Sequence, residues 1–206
     1  MRVAAQMISE TTDPDSENAR DVELMLQIQA TGDHELFREL IERHQTAVIG
    51  TVAKMLGSNN QAEDLAQQVF LRLWKSRERY KPAAKFTTFL YTITRNLVFN
   101  ESRRKSRRKE SSLDAQKEDF ALEIPANPNQ QPDNEQLMTE LGEAIDQAIA
   151  ELPEKQRMAV ILRRYQNLPY EEIATVLDLT VSAVKSQLFR ARTTLRESLA
   201  SYMNNS

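Results

Sequence analysis

Apolar residues recur at helical spacing through two separate parts of the chain. In the first part, Val22, Leu24, Met25 and Ile28 follow the spacing of one helix face, and a Thr-Gly-Asp turn at residues 31–33 ends the run. Similar runs predict further helices that begin near residues 36, 47, 62 and 87. The pattern therefore predicts a compact helical domain over residues 21–110, preceded by a polar, disordered lead-in at residues 1–20.

The periodicity disappears over residues 111–136 and then returns. This stretch contains three prolines and many Asn and Gln residues. Its low hydrophobicity and acidic bias cannot offset the entropy of ordering, so we expect a flexible acidic linker. From residue 137 to residue 200 the spacing predicts four helices, and residues 201–206 form a short tail. The expected fold class is all-α, with two small, separately folded helical domains.

The clearest pattern lies at the end of the second domain. Residues 169–177 predict a short helix, followed by a tight connector in which Asp178 tolerates the left-handed conformation and Thr180 caps the next helix. The next helix has one apolar stripe, formed by Val181, Val184, Leu188, Ala191 and Leu195. Its other face is polar and basic, and presents Ser182, Lys185, Ser186, Gln187, Phe189, Arg190 and Arg192.

A short helix, a tight turn and an acid-free second helix are typical of a helix-turn-helix that binds DNA. The DNA major groove accepts one α-helix, and Arg, Lys, Gln and Ser side chains reach base edges or phosphates there. The ordinary alternative is a helical hairpin whose basic face is only solvated. No acidic residue occurs from Val181 until Glu197, which favours the DNA-binding interpretation.

Composition and charge narrow the function further. The 206 residues include no Cys and only two His, so thiolate sites are excluded and a Ser-His triad is hard to build; we expect no enzyme, cofactor or metal. No apolar run reaches the roughly 20 residues of a membrane span, so we expect a cytoplasmic protein without membrane insertion. The net charge of −3 hides a segregation: six of residues 103–109 are basic, whereas residues 111–140 carry seven acids against Lys117 alone.

These blocks of sequence resemble a known family. The stretch ELPEKQR at residues 151–157, followed by YEEIATVL and VSAVKSQLFRARTTLRESL, resembles the promoter-binding C-terminal domain of bacterial sigma factors of the extracytoplasmic-function type. In the front half, AEDLAQQVFLRLW and KFTTFLYTITRN resemble the N-terminal domain of that family. The resemblance implies a protein that binds core RNA polymerase through its largest subunits, directs promoter-specific transcription initiation and catalyses nothing itself. It also implies an anti-sigma factor as a further partner.

Carried over residue by residue, the resemblance implies three surfaces. The surface that docks on a coiled coil of the polymerase comprises Asp64, Leu65, Gln67, Gln68 and Phe70, of which Asp64 and Gln67 are the favoured exposed contacts. The surface that holds the melted minus-ten element comprises Tyr80, Lys81, Lys85, Asn96, Asn100, Arg103, Arg104 and Arg107, with Arg95, Lys105 and Arg108 as further cations. The basic face of the helix-turn-helix reads the minus-thirty-five element in double-stranded DNA.

Other functions remain open at this stage. A dimeric helix-turn-helix regulator that does not join polymerase explains residues 150–200, but it leaves the blocks at 64–74 and 85–96 without a role. An RNA-binding protein explains the basic run, although no base-stacking motif accompanies it. A helical enzyme would need a convergent set of Asp, Glu and His residues, which is not visible. For Tyr80, Leu65 and Phe70, ordinary core packing competes with the proposed contacts.

Overall fold

The computed structural model describes residues 14–57, 61–111 and 132–200, and every regular element in these ranges is helical. The helices are α1 (Pro14–Thr31), α2 (His34–Leu56), α3 (Ala62–Ser76), α4 (Phe86–Ser111), α5 (Pro132–Glu151), α6 (Glu154–Arg164), α7 (Tyr170–Leu177) and α8 (Val181–Ser198). A 3-10 turn, Arg77–Arg79, lies between α3 and α4. The expected all-α class is confirmed.

The ends of the first helices follow the turn chemistry of the sequence. Gly32 ends α1 with a φ of 67°, in the left-handed region that glycine enters without strain. The Asp33 side chain then caps α2, because it accepts a 2.7 Å hydrogen bond from the backbone N–H of Glu35. At the other end of α2, Gly57 has a φ of 63° and its N–H donates to the carbonyl of Ala53.

Three helix boundaries differ from the sequence prediction. α1 begins at Pro14, inside the predicted lead-in, because proline fits the first helical position and Asn18 ties the helix to the start of α4, where its Oδ1 accepts a 2.9 Å hydrogen bond from the N–H of Phe86. α2 continues through residues 42–46, since no Gly or Pro interrupts it there. α5 begins at Pro132 rather than at residue 137.

The helices form two units, each with buried apolar stripes. The first unit comprises α1 to α4, and its fully buried side chains include Leu24, Leu40, Val69, Leu73 and Leu90. The second unit comprises α5 to α8, and its fully buried side chains include Met158, Ile161, Leu162, Ile173 and Val184. The predicted two-part helical architecture is therefore confirmed.

The two units nevertheless pack against each other, which the sequence did not indicate. α4 of the first unit lies against α7 of the second, and α2 lies against α5 and α6. The buried residues of both units form one continuous cluster. In this conformation the two units are thus in contact, which adds to the predicted two-part architecture. Periodicity shows that a helix has a buried face, but it does not show which helix covers that face.

Residues 1–13, 58–60, 112–131 and 201–206 lie outside the described residues, and with them most of the predicted lead-in, linker and tail. No helix within the described ranges is long and apolar enough to cross a membrane.

Candidate nucleic-acid interface

α7 and α8 form the helix-turn-helix that the sequence predicts. Asp178 ends α7 in the left-handed conformation, with a φ of 54° and a ψ of 55°, and the N–H of Leu179 donates a 2.9 Å hydrogen bond to the carbonyl of Ala174. Thr180 caps α8, because its Oγ1 accepts a 3.1 Å hydrogen bond from the N–H of Ala183. Both predictions for the connector are confirmed.

One stripe of α8 anchors the helix, and the opposite stripe faces solvent. Val184 and Ala191 are fully buried, and α8 packs against α6 and α7. Because the helix is anchored on this side, its basic stripe points outward. The exposed residues are Ser182, Lys185, Ser186, Phe189, Arg190 and Arg192, whereas Gln187 is half-buried.

Phe189 stands out on the exposed face of α8. It leaves 71% of its surface accessible, although it is a large apolar residue. A single exposed apolar side chain is not unusual in itself. It lies among the exposed residues Lys185, Ser186 and Arg190. An apolar side chain on such a face can contact the methyl group of thymine in the major groove.

A second polar stripe runs along α4. Its members lie three or four residues apart and therefore share one side of the helix. All are exposed: Asn96, Asn100, Arg103, Arg104 and Arg107. The Arg104 guanidinium lies 2.9 Å from the carboxylate of Glu101, whose side chain is partly buried. The structure thus brings five of the expected minus-ten residues onto one surface.

Tyr80, by contrast, lies in the core. It is 3% exposed, its ring packs 5.2 Å from that of Phe89, and its hydroxyl is buried without a hydrogen-bond partner. Burial, followed by the charge of Asp21, raises the pKa of Tyr80, so the phenol stays neutral. In this conformation Tyr80 packs in the core, and its expected role in lining a base pocket stays a prediction. The next residue, Lys81, is exposed.

Two of the expected cations face the helix-turn-helix. The Nζ of Lys85 lies 3.6 Å from Oε1 of Glu172 on α7. The Nε of Arg95 donates a 2.9 Å hydrogen bond to the carbonyl of Val176, near the end of α7. The hydroxyl of Thr88 also donates to Glu172, at 3.2 Å. Sequence patterns could not reveal these contacts, because they join residues that are far apart along the chain.

The expected polymerase contacts on α3 separate into two groups. Asp64, Gln67 and Gln68 are exposed, whereas Leu65 and Phe70 are buried in the core. The exposed apolar residue on this side is Leu71, with 59% of its surface accessible, and the sequence analysis missed it. Its spacing of three or four residues from Gln67 and Gln68 would have identified it.

The exposed basic helix of the helix-turn-helix, together with the Asn- and Arg-rich stripe of α4, defines a helical DNA-binding protein with two binding units. Within the described residues, no three His, Asp or Glu side chains lie close enough together to hold a metal ion.

Comparisons with known proteins identify the family. The family described as Sigma-70 region 2 matches residues 40–108, and that described as Sigma-70, region 4 matches residues 142–195. The RNA polymerase sigma-H factor of Pseudomonas aeruginosa is 30% identical over 183 residues, which cover 87% of this chain and 94% of the relative. The ECF RNA polymerase sigma-E factor of Escherichia coli K12 is 34% identical over 179 residues, which cover 86% and 93%.

Solved structures share the fold. CnrH, in complex with the cytosolic domain of CnrY, matches with a TM-score of 0.65 and 21% identity over 88% of this chain and 98% of that chain. The sigma factor RpoE of Bartonella quintana, in complex with the anti-sigma factor NepR, matches with a TM-score of 0.66 and 23% identity over 80% and 96%. The chain belongs to the extracytoplasmic-function group of the sigma-70 family. It is a sigma factor that directs promoter-specific transcription initiation.

Proposed function

We propose that the chain binds two elements of one promoter through α4 and α8 while α3 docks on core RNA polymerase. The observation that carries this proposal is the outer face of α8, which carries no acid from Val181 to Arg196 and is exposed while the opposite face is anchored in the core. A helix held in this way enters the major groove without rearranging its own unit. The chain recognises promoter DNA and positions the polymerase on it, and we propose no catalytic step for the chain.

On α8, the side chains divide between base recognition and phosphate binding. We assign Arg190 and Lys185 to hydrogen bonds with guanine O6 and N7, and Phe189 to an apolar contact with a thymine methyl. Arg192 lies further along the helix, where we assign it to a phosphate. A phosphate contact adds affinity and salt dependence without sequence preference. Ser182, Ser186 and Gln187 complete the surface with neutral hydrogen-bonding groups.

The stripe on α4 suits a melted strand. The amides of Asn96 and Asn100 carry both donors and acceptors for the edges of unpaired bases, and the arginines at 103, 104 and 107 neutralise phosphates. A surface that binds the single strand better than the duplex shifts the promoter towards the melted state, and only such a difference in affinity can do so. We therefore assign the minus-ten element to α4.

The exposed side of α3 is proposed to dock on the polymerase. Leu71 supplies an apolar centre, and Asp64, Gln67 and Gln68 supply the polar rim of a helix-on-helix contact. Leu65 and Phe70 act indirectly, because they hold α3 in the core. Leu71→Asp should therefore weaken association with core polymerase without unfolding the chain, whereas Leu26→Asp makes the same substitution at an exposed leucine of α1 and is the matched surface control.

Two contacts on one chain reinforce each other. Once one promoter element is bound, the second DNA-binding surface is present at a high effective concentration near its own element, so the two contacts together bind more tightly than either alone.

An anti-sigma factor is a further proposed partner, because RpoE of Bartonella quintana was solved in complex with one.

Transcription with purified core polymerase tests the proposed function. Core enzyme plus this chain, on fragmented genomic DNA, should produce run-off transcripts with discrete start sites that core enzyme alone does not produce. The alternative, a dimeric regulator that does not join polymerase, predicts a protein that shifts duplex DNA as a dimer and leaves the transcripts of core enzyme unchanged. That result would refute the proposed function.

A further inference from the structure

The loop between α3 and α4 is anchored in the core at both of its ends. Tyr80 is 3% exposed, and Phe86, the first residue of α4, is fully buried. The residues that follow Tyr80 are exposed, namely Lys81, Pro82, Ala83 and Ala84. The position of this 80–86 loop therefore depends on what holds its backbone at the two anchors.

α1 holds the backbone at the first anchor. The Nε2 of Gln29 donates a 3.1 Å hydrogen bond to the carbonyl of Glu78 and a 3.2 Å hydrogen bond to the carbonyl of Tyr80. The turn is also closed locally, since the N–H of Tyr80 donates at 3.1 Å to the carbonyl of Arg77. A side-chain amide has two N–H donors, so Gln29 uses both of them to fix the direction in which the chain leaves the core.

α1 also holds the second anchor. The Oδ1 of Asn18 accepts a 2.9 Å hydrogen bond from the N–H of Phe86. The first N–H groups of a helix have no partner within that helix, so Asn18 caps the start of α4 from another helix. Asn18 and Gln29 lie about three helical turns apart on α1, so they share one side of it and hold both ends of the 80–86 loop together.

The loop brings two cations to the start of the polar stripe on α4. Lys81 is exposed, and Lys85 is half-buried directly before the helix. Lys85 also lies about three helical turns before Asn96, so the loop continues the side of α4 on which the proposed single-strand contacts lie. A strand that runs along this stripe towards the start of α4 therefore reaches the loop.

We infer that Asn18 and Gln29 are positioning residues for recognition of the minus-ten element and act without touching the DNA. They hold the two ends of the 80–86 loop, so they set where Lys81 and Lys85 meet the melted strand. The inference rests on the proposed binding of that strand by α4 and the loop before it. Hydrogen bonds weaken steeply when their geometry is poor, so a displaced loop changes which bases are preferred, whereas a general loss of stability weakens binding to every base alike.

Hydrogen exchange tests the two anchors without DNA. Gln29→Met keeps the length of the side chain and removes both donors, whereas Gln27→Met makes the same substitution at an exposed position of α1. The amides of residues 80–86 should exchange about fivefold faster in Gln29→Met than in Gln27→Met, because a loop that has lost these hydrogen bonds opens more often. Asn18→Leu should act in the same way, and Asn18→Asp, which keeps the acceptor, should restore protection. Equal exchange in Gln29→Met and Gln27→Met, or no restoration by Asn18→Asp, would overturn the inference.

Base preference tests the consequence for recognition. Core polymerase carrying each variant is titrated with forked DNA in which every single-stranded minus-ten position carries each base in turn. The ratio of affinities for the best and second-best base should fall about threefold in Gln29→Met and in Asn18→Leu, and it should not change in Gln27→Met. Binding to the double-stranded upstream element should be the same for all of them.

The two possible failures of this experiment are distinguishable. Unchanged ratios in Gln29→Met and Asn18→Leu, with a clear base preference in the unsubstituted chain, would overturn the inference and leave the proposed function intact. An unsubstituted chain that shows no preference at any minus-ten position would overturn the proposed function, and this inference with it.

Discussion

The two candidate DNA surfaces are built from the same residue types but differ in accessibility. α8 buries one stripe and leaves its cations exposed. α4 exposes a stripe of Asn and Arg side chains, while Lys85, just before α4, and Arg95, in its first half, meet α7. Residue types alone therefore do not decide how accessible a cation is, because the packing of α7 against α4 also sets it.

The difference also separates two kinds of recognition. Duplex DNA needs a rigid helix in a groove that already exists, and α8 offers this without rearrangement. A melted strand exists only after the promoter opens, and we propose the polar stripe of α4 as the surface that binds it.

The strongest test of the α8 surface is to remove its anchor. Val184→Asp places a carboxylate at a fully buried position between α8 and the rest of its unit. Burial of an unpaired charge should cost more than about 4 kcal/mol and unfold the second unit, measured by circular dichroism during urea denaturation. The exposed neighbour provides the control, since Lys185→Ala should change the free energy of unfolding by no more than about 0.5 kcal/mol. Equal stability of the two variants would mean that α8 is not anchored through Val184.

Arg190→Ala should weaken binding to the double-stranded upstream element by about 2 kcal/mol, because one charged contact to a base is worth roughly that amount. The residue is exposed, so stability and association with core polymerase should stay unchanged. Fluorescence anisotropy with duplex DNA and co-purification with core enzyme measure the two properties separately. Loss of both together would show that Arg190 supports the structure instead of contacting DNA.

Asp21→Asn tests the charged contact that joins α1 to α2. The buried Asp21 carboxylate on α1 lies 2.7 Å from Nε of Arg43 and 2.8 Å from Nε2 of His44 on α2. Burial alone would raise the pKa of Asp21, but the hydrogen bonds and charges of His44 and Arg43 outweigh burial and hold the pKa below its usual value. The ionised carboxylate therefore stabilises the folded chain.

The effect of Asp21→Asn should depend on pH. Because the pKa in the folded chain lies below the unfolded value of about 3.9, the stabilisation is complete above that value and disappears as the pH falls through the folded pKa. Near neutral pH the variant should lose about 1.5 kcal/mol in urea denaturation. The difference from the unsubstituted chain should shrink towards zero in acid, and a difference that does not change with pH would contradict this account.

The smallest expected effect concerns a single methyl group. Replacing the contacted thymine in the upstream element by uracil removes the methyl and should weaken binding by about 0.8 kcal/mol, the contribution of one buried carbon. In Phe189→Ala the same replacement should have no effect, because the apolar partner is absent. A scan of uracil substitutions along the element, with both proteins, measures this coupling. Equal sensitivity of the two proteins at every position would exclude the proposed contact.

Local chemistry explains why much of this site could be predicted. Asp178, Thr180 and the apolar stripe of α8 act through neighbours within one or two helical turns, so the helix-turn-helix and its outward face follow from residue order. The stripe from Asn96 to Arg107 follows from the same periodicity. The exposure of Leu71 follows from that periodicity too, although the sequence analysis missed it. The burial of Tyr80 does not, because it depends on how the turn after α3 lies against the core.

The sequence by itself determined the helices, most of their ends, the division into two units and the two basic stripes, because these properties depend on spacing and on contacts between near neighbours. Only the tertiary structure decided that α7 covers the first half of α4, and that Arg95 and Arg157 cap helices of opposite units. Such contacts join residues separated by 81 and 102 positions, and the partner of a buried face is chosen by the packing of the whole chain.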